Sequence, residues 1–373
     1  IGDLGPGAIE FLDWLTEAGQ SVWQILPLGP VGQGHSPYDA QSSFAGNPLL
    51  IDPEGLRHFD LIDRQEMESA RIESSDRIDF ARVEFVKTQL LGKAFQRFEG
   101  LGESSDLRQA FANWAYSDDQ ASWLESWSLY AALKEHFNSE SWARWPPPLR
   151  GHQATALDQV REDLADRIRY QQFVQFVFFT QWEALRSEAQ RRNISLLGDL
   201  PFYVALDSCE VWTRPELFDL DASGAPRTVA GVPPDYFSET GQRWGNPVYR
   251  WDCMAEQGFD WWTERLGFQL QLVDRLRLDH FRGFAAAWQI PAEHETAIEG
   301  RWVATPGNEL LAHVRATLGA LPFVAEDLGV ITPDVDALRE AFGLPGMKVL
   351  QFAFDSPDSP HLPHNLGTDT VVY

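Results

Sequence analysis

The stretch Leu-Val-Asp-Arg-Leu-Arg-Leu-Asp-His-Phe-Arg-Gly-Phe, residues 272–284, decides how the rest of the chain is read. It has the period of a strand, so Arg275, Arg277 and Asp279 share one face and Leu276, Leu278 and His280 the other. An acid therefore ends the strand two residues after a guanidinium, which predicts a carboxylate held ionised by proximity and charge-assisted hydrogen bonding. Parity predicts that His280 packs on the buried side, unless the strand bends at its end. A second strand, Pro-Phe-Val-Ala-Glu-Asp-Leu-Gly at 322–329, ends at Glu326, and its apolar approach predicts a raised pKa. A third, Ile194–Leu200, ends at Asp199. Two carboxyls tuned in opposite directions are the apparatus of glycosidic bond chemistry. Taken alone, Asp279 also reads as a salt-bridge partner of Arg277 or Arg282, and Glu326 as a helix cap. Their shared placement with Asp199 predicts instead that three acids converge on one mouth.

Met347–Phe354 reads as a fourth apolar strand, and helical spacing over 259–271, 307–319 and 333–342 separates these strands. Strands alternating with helices, each strand ending in a polar residue, predict a parallel sheet in an α/β fold. Function gathered at strand ends points to a (β/α)8 TIM barrel, with an open doubly wound sheet as the alternative. Earlier in the chain, 8–19 reads as an amphipathic helix and 21–28 as a short strand closed by Pro27 and Gly29. From about Pro53 to Asn193 the pattern is helical, over 82–98, 105–116, 118–137 and 155–192, with Pro146-Pro147-Pro148 breaking the series. The expected organisation is a barrel start at 1–52, a helical insertion at 53–193 and the barrel's continuation at 194–373.

The chain has 373 residues, 44% of them hydrophobic, enough for a large core. No segment reaches the roughly 18 to 20 uninterrupted apolar residues of a membrane helix, and no signal-peptide pattern opens the sequence; the expected location is the cytoplasm. A net charge of −25 repels polyphosphate, which argues against nucleic acid and anionic membranes as partners, while a neutral substrate meets no such barrier. The two cysteines, Cys209 and Cys253, give neither a disulfide framework nor zinc spacing. Of the fifteen tryptophans, two or three are expected to touch ligand and the others to pack.

Two loops stand out. Gly29, Gly32 and Gly34 lack the spacing of a dinucleotide fingerprint and no helix follows before Pro37, so a phosphate cradle is not predicted. The segment 229–249 is polar and broken by Gly and Pro, which predicts a long functional loop rather than a core element. Asp235, Tyr236, Phe237 and Trp244 would supply it with stacking faces and a hydroxyl-binding acid.

Several motifs together now resemble one family. They are Trp-Gln-Ile-Leu-Pro-Leu-Gly-Pro (23–30), Ser-Pro-Tyr (36–38), Phe-Ala-Gly-Asn-Pro (44–48), Gly-Asp-Leu-Pro-Phe-Tyr-Val (198–204) and Gly-Val-Pro-Pro-Asp-Tyr-Phe-Ser (231–238). Gly-Gln-Arg-Trp-Gly-Asn-Pro (241–247), Arg-Leu-Asp-His-Phe-Arg-Gly-Phe (277–284) and Ala-Glu-Asp-Leu-Gly (325–329) complete the set. Over nearly its whole length the chain is similar to 4-alpha-glucanotransferases of the amylomaltase (disproportionating enzyme) type, glycoside hydrolase family 77, in the alpha-amylase superfamily.

The resemblance implies that Asp279 is the nucleophile of a retaining double displacement and Glu326 its acid/base. It implies that Ser36, Tyr38, Asp199, Asp235, Trp244, Asn246, Arg277 and His280 bind substrate, which for His280 overrides strand parity. It implies that 229–249 arches over the site, and that the partners are maltooligosaccharide, starch or glycogen-derived donors and acceptors. No cofactor or metal is implied. The family begins earlier, with a first barrel strand, and Thr370–Tyr373 matches the start of a strand that continues to a Thr-His-Asp-Asn-Asp motif carrying a third acid. The expected barrel is therefore incomplete at both ends. The expected activity is transfer of alpha-1,4-glucan segments between maltooligosaccharides; an inactive glucan-binding fragment and an alpha-glucan hydrolase are the other readings.

Overall fold

The computed structural model describes residues 2–73, 76–235, 238–329, 331–354 and 356–373. The chain divides into two compact units, one formed by 1–23, 28–194 and 207–213, the other by 24–27, 195–206 and 214–373.

The first unit is helical. Its helices start where side chains satisfy free backbone N–H groups: Asp79 caps Phe80–Glu99 through Arg82 N–H, and Ser105 caps Asp106–Ala115 through Arg108 N–H. Two segments expected as single helices are each broken in two. Asp118–Ala121 and Leu124–His136 meet at Ser122-Trp123, where Trp123 buries its ring, and Ala154–Asp163 and Ala165–Arg191 meet at Leu164. The long helix Ala165–Arg191 carries two buried glutamines that serve as artificial strand partners. Gln175 accepts from Gly46 N–H at 2.7 Å and donates to Gly46 O at 3.0 Å, and Gln181 does the same for Asp52 at 2.7 and 3.0 Å. The irregular stretch 44–52 thereby has its buried backbone groups paired without joining a sheet. Gly46 is required there, because a Cβ would overlap the Phe178 ring.

The second unit holds the predicted parallel strands, at Ser195–Leu200, Arg275–Leu278 and Phe323–Ala325, in that spatial order. Gln24–Pro27 lies along the first strand, where Ile25 N–H donates to Leu197 O at 2.9 Å. The expected strand at 347–354 is shorter, Gly346–Lys348, and pairs in parallel with Thr370–Val372; Leu350–Phe354 is a 3-10 turn. Helices Asp260–Leu272, Gly307–Leu318 and Pro333–Ala341 supply the crossovers. One face of the sheet, with Leu276 and Leu278 fully buried, is apolar along its length. On the other face Leu197, Val324 and Met347 form an apolar cluster, and Asp199, Arg277 and Val324 stand level with one another across the three strands.

The segment 229–249 is only partly a loop. Thr228–Val232 and Gln242–Pro247 are antiparallel strands in a sheet ordered 242–247, 228–232, 286–291, 301–304. Glycine and proline here mark close backbone approach and a bulge between Val229 and Gly231, not irregularity. A Cβ at Gly231 would strike Gln242 O on the neighbouring strand. Of the aromatics expected in this segment, Tyr236 and Phe237 lie outside the described residues.

Candidate active site

The register of the parallel sheet assembles the acids. Asp199 pairs with Arg277 across the first two strands, Asp279 N–H donates to Leu200 O at 3.0 Å, and Glu326 N–H donates to Leu278 O at 3.0 Å. These bonds bring three strand ends level. Arg277 Nη1 then contacts Asp199 Oδ1 at 2.7 Å and Asp279 Oδ1 at 2.8 Å, while its Nε reaches Met347 Sδ at 3.3 Å. The guanidinium is thus fixed between two carboxylates over the apolar cluster, and its own pKa is pushed upward by both acids against the opposing effect of burial.

Asp279 does not behave as its neighbour alone would dictate. Burial raises its pKa above the ordinary aspartate value, with a contribution from the charge of Asp199, and this outweighs the lowering by Arg277 and by the His280 N–H. The sequence identified the arginine but carried no measure of burial, so the expected downward shift is corrected to an upward one. Glu326 follows expectation. Burial, then the charge of Asp279, push it up to about 7, against lowering by Arg277 and by two backbone N–H groups. Those groups are His280 N–H on Oε2 at 2.9 Å and Leu328 N–H on Oε1 at 3.1 Å. Burial thus shifts both carboxyls upward, and Glu326, at about 7, is suited to give and take a proton near neutral pH.

His280 departs from strand parity for a backbone reason. Its φ of 50° places it in the left-handed region, and the chain turns there from strand into the 3-10 segment Phe281–Phe284. The side chain consequently lines the same cavity as Asp279, with its ring edge-on to Trp244 at 4.8 Å and 86°. Burial and the charge of Arg282 lower its pKa to about 4, so it is neutral, and its Nε2 is a buried polar atom without a hydrogen-bond partner among the described residues.

The cavity has a volume of about 310 Å³. Arg277, Asp279, His280 and Glu326 form its floor, and Asp235, Gln242, Trp244, Arg282 and Trp302 contribute to its walls. Asp235 Oδ1 accepts from Ser238 N–H at 2.9 Å, and Trp244, 38% exposed, donates from Nε1 to Gln242 Oε1 at 3.1 Å. Asn246 stands behind the wall, where its amide donates to Val204 O at 2.9 Å and ties the strand to the segment after Asp199. Asp199 is wholly buried beneath Arg277 rather than lining the cavity. Ser36 and Tyr38 belong to the first unit; Ser36 Oγ accepts from Tyr38 N–H at 3.3 Å, and Tyr38 is exposed. Gln242 and Trp302 were not singled out by sequence, since neither ends a parallel strand. Among the described residues no group of His, Cys, Asp and Glu side chains is arranged to hold a metal ion, and no helix is long and apolar enough to cross a membrane.

Comparison with known proteins gives the family. The family model described as 4-alpha-glucanotransferase matches residues 1–373. The chain is 49% identical over 380 residues to the 4-alpha-glucanotransferase of Thermus thermophilus, covering 100% of this chain and 74% of that protein. It is 46% identical over 375 residues to the enzyme of the same name from Aquifex aeolicus, with coverage of 100% and 75%. Among solved structures, the amylomaltase from Streptococcus agalactiae in complex with acarbose superimposes with a TM-score of 0.94 at 36% identity, over 100% of this chain and 75% of that one. The amylomaltase from Corynebacterium glutamicum gives 0.77 at 21% identity, over 96% and 49%, a likeness of fold alone. The parallel strands with their acid-bearing ends are thus of the TIM-barrel type shared with amylomaltases, and the chain belongs to the 4-alpha-glucanotransferase family.

Proposed function

We infer that this member of the 4-alpha-glucanotransferase family transfers segments of alpha-1,4-glucan between maltooligosaccharides by a double displacement, with Asp279 as nucleophile and Glu326 as acid/base. One observation carries the reading: beside Asp279, which is paired with Arg277, Glu326 is pushed up to about 7. The first acid is poised to attack and the second to give and take a proton at neutral pH.

In the first step an Asp279 oxygen attacks the anomeric carbon and the bond to the leaving glucan's O4 breaks. The Glu326 proton passes to that oxygen. In the second step Glu326, now ionised, takes the proton of an incoming 4-hydroxyl as its oxygen attacks the same carbon, and the bond to Asp279 breaks. Arg277 keeps the Asp279 oxygens oriented throughout through its 2.8 Å contact. Neutral His280, with an unpartnered Nε2, offers a hydrogen bond to a sugar hydroxyl without adding charge. Trp244 supplies an apolar face for a sugar ring. Asp235 and Asn246 are assigned to shaping the wall, and Ser36 and Tyr38 to further glucan contacts. The setting we propose is the cytoplasm.

Incubation with maltotriose tests the activity. The expected products are glucose and longer maltodextrins at a constant number of reducing ends. A steady rise in reducing ends, with only glucose and maltose formed, would make the protein a hydrolase.

A further inference from the structure

The antiparallel sheet beside the cavity ends in a feature that the catalytic pair does not use. Trp302 and Trp288 face one another across the strands Ala286–Pro291 and Arg301–Ala304, as partners in register, with ring centroids 5.3 Å apart at 63°. Trp288 is fixed: its Nε1 donates to Ala297 O at 3.0 Å, and its ring lies so close to Gly300 that a Cβ there would collide with it. Trp302 is covered on its other side by the guanidinium of Arg282, whose Cζ is 3.8 Å from the ring centroid. Arg282 is held in turn by a bond from Nη1 to Thr332 Oγ1 at 2.9 Å. Despite this bracing Trp302 is 38% exposed, and the part it exposes lines the cavity that contains Asp279 and Glu326.

We propose that Trp302, held by Arg282 and Trp288, is an acceptor-side platform that selects a glucose unit of the leaving or incoming glucan. This rests on the transferase reading above. The acceptor side is assigned on account of the link to Glu326. Arg282 reaches the segment after Glu326 through Thr332, and the same 3-10 segment is bonded to Glu326 itself by Phe281 N–H to Glu326 O at 3.2 Å. Glu326 acts on the oxygen shared with the leaving and incoming sugars, and we place the platform on their side of the scissile bond. Trp302 presents an apolar surface to sugar C–H groups, and Arg282 sets that surface at one angle. An acceptor sugar gains from such a surface and water does not. The platform thus biases the second displacement toward transfer.

Initial rates with maltotriose as donor and maltose as varied acceptor, for the parent, Trp302→Ala and Trp302→Phe, test this. Trp302→Ala is expected to raise the acceptor KM about five- to tenfold and to shift the partition of the glycosyl-enzyme toward water, with Trp302→Phe recovering most of the loss. An unchanged acceptor KM in Trp302→Ala overturns the proposal, as does an equal fall for donor and acceptor accompanied by a lower Tm. Titration of maltose into Glu326→Gln, with and without Trp302→Ala, separates the two readings. If the parent makes no transfer product, the transferase reading fails. A weaker maltose Kd in the double variant would still support the platform, and an equal Kd would sink it.

Discussion

Glu326 contributes to function and stability in opposite senses. Its pKa of about 7 in the folded protein lies above the ordinary glutamate value of 4.5, so the folded state binds its proton more tightly than the unfolded state. Stability from this group is fully present below the unfolded value and is lost as pH rises through 7, because an ionised carboxylate must then stay buried beside Asp279. Replacement by glutamine keeps the shape and removes the charge. Glu326→Gln should therefore abolish transfer yet raise Tm at pH 8 by several degrees, with little change at pH 5. The difference corresponds to roughly 2 kcal/mol after allowance for partial solvent contact. Thermal melts of parent and variant at the two pH values check this, and an equal Tm shift at both would mean that the raised pKa does not act on stability.

Elements matter here because they hold the site's supports in place. Helix Asp260–Leu272 turns Arg265 inward, where it is almost wholly buried, stacks on Trp261 and Trp262, and donates to Pro201 O at 2.7 Å and Phe202 O at 3.2 Å. Those carbonyls lie just after the strand carrying Asp199, and Tyr249 OH adds a bond to Phe202 O at 2.6 Å. Arg265→Met would keep much of the apolar stem but remove the donor to Pro201 O and one of the two donors to Phe202 O. A loss of about 2 to 4 kcal/mol is expected, with slower transfer as the Phe202–Tyr203 stretch under Trp244 and His280 loosens. Denaturant unfolding that shows no loss would place the support elsewhere. The same scale explains what was legible. Asp199, Arg277, Asp279 and Glu326 could be found because each sits on a short apolar strand whose alternation is unambiguous. The sheet formed by 228–232, 242–247, 286–291 and 301–304 could not, because Gly231 and Gly241 look like loop residues until a neighbouring backbone is seen to need their missing side chains. Gln242 and Trp302 were hidden with that sheet. Strand parity alone put His280 on the wrong face, because a single positive φ, decided by the turn into 281–284, carries no local signature, and only the family resemblance placed it in the site. The direction of the Asp279 shift was illegible for a different reason: it depends on burial and on Asp199, 80 positions away in sequence and adjacent in the sheet.

At the scale of the whole molecule, charge outweighs other long-range effects. With 55 acidic residues against 30 basic ones, the net charge of −25 makes the long-range electrostatic sum repulsive. Many of the cations are already in close pairs, such as Arg169 with Glu99 at 2.7 Å and Arg192 with Asp13 at 2.7 Å, where the partners are nearer than any screening length. Added salt therefore weakens the repulsion between distant carboxylates more than it weakens these contacts. Raising NaCl from about 0.05 M to about 0.5 M should increase Tm by a few degrees. The consequence for catalysis differs from that for stability, since a maltooligosaccharide carries no charge and is neither attracted nor repelled by the surface. The KM for maltotriose should stay within about twofold across the same salt range while Tm moves. Parallel measurement of both quantities is decisive. A Tm that falls with salt would show the contact pairs to outweigh the repulsion, and a KM that changes several-fold would mean that the field of the protein reaches into the site.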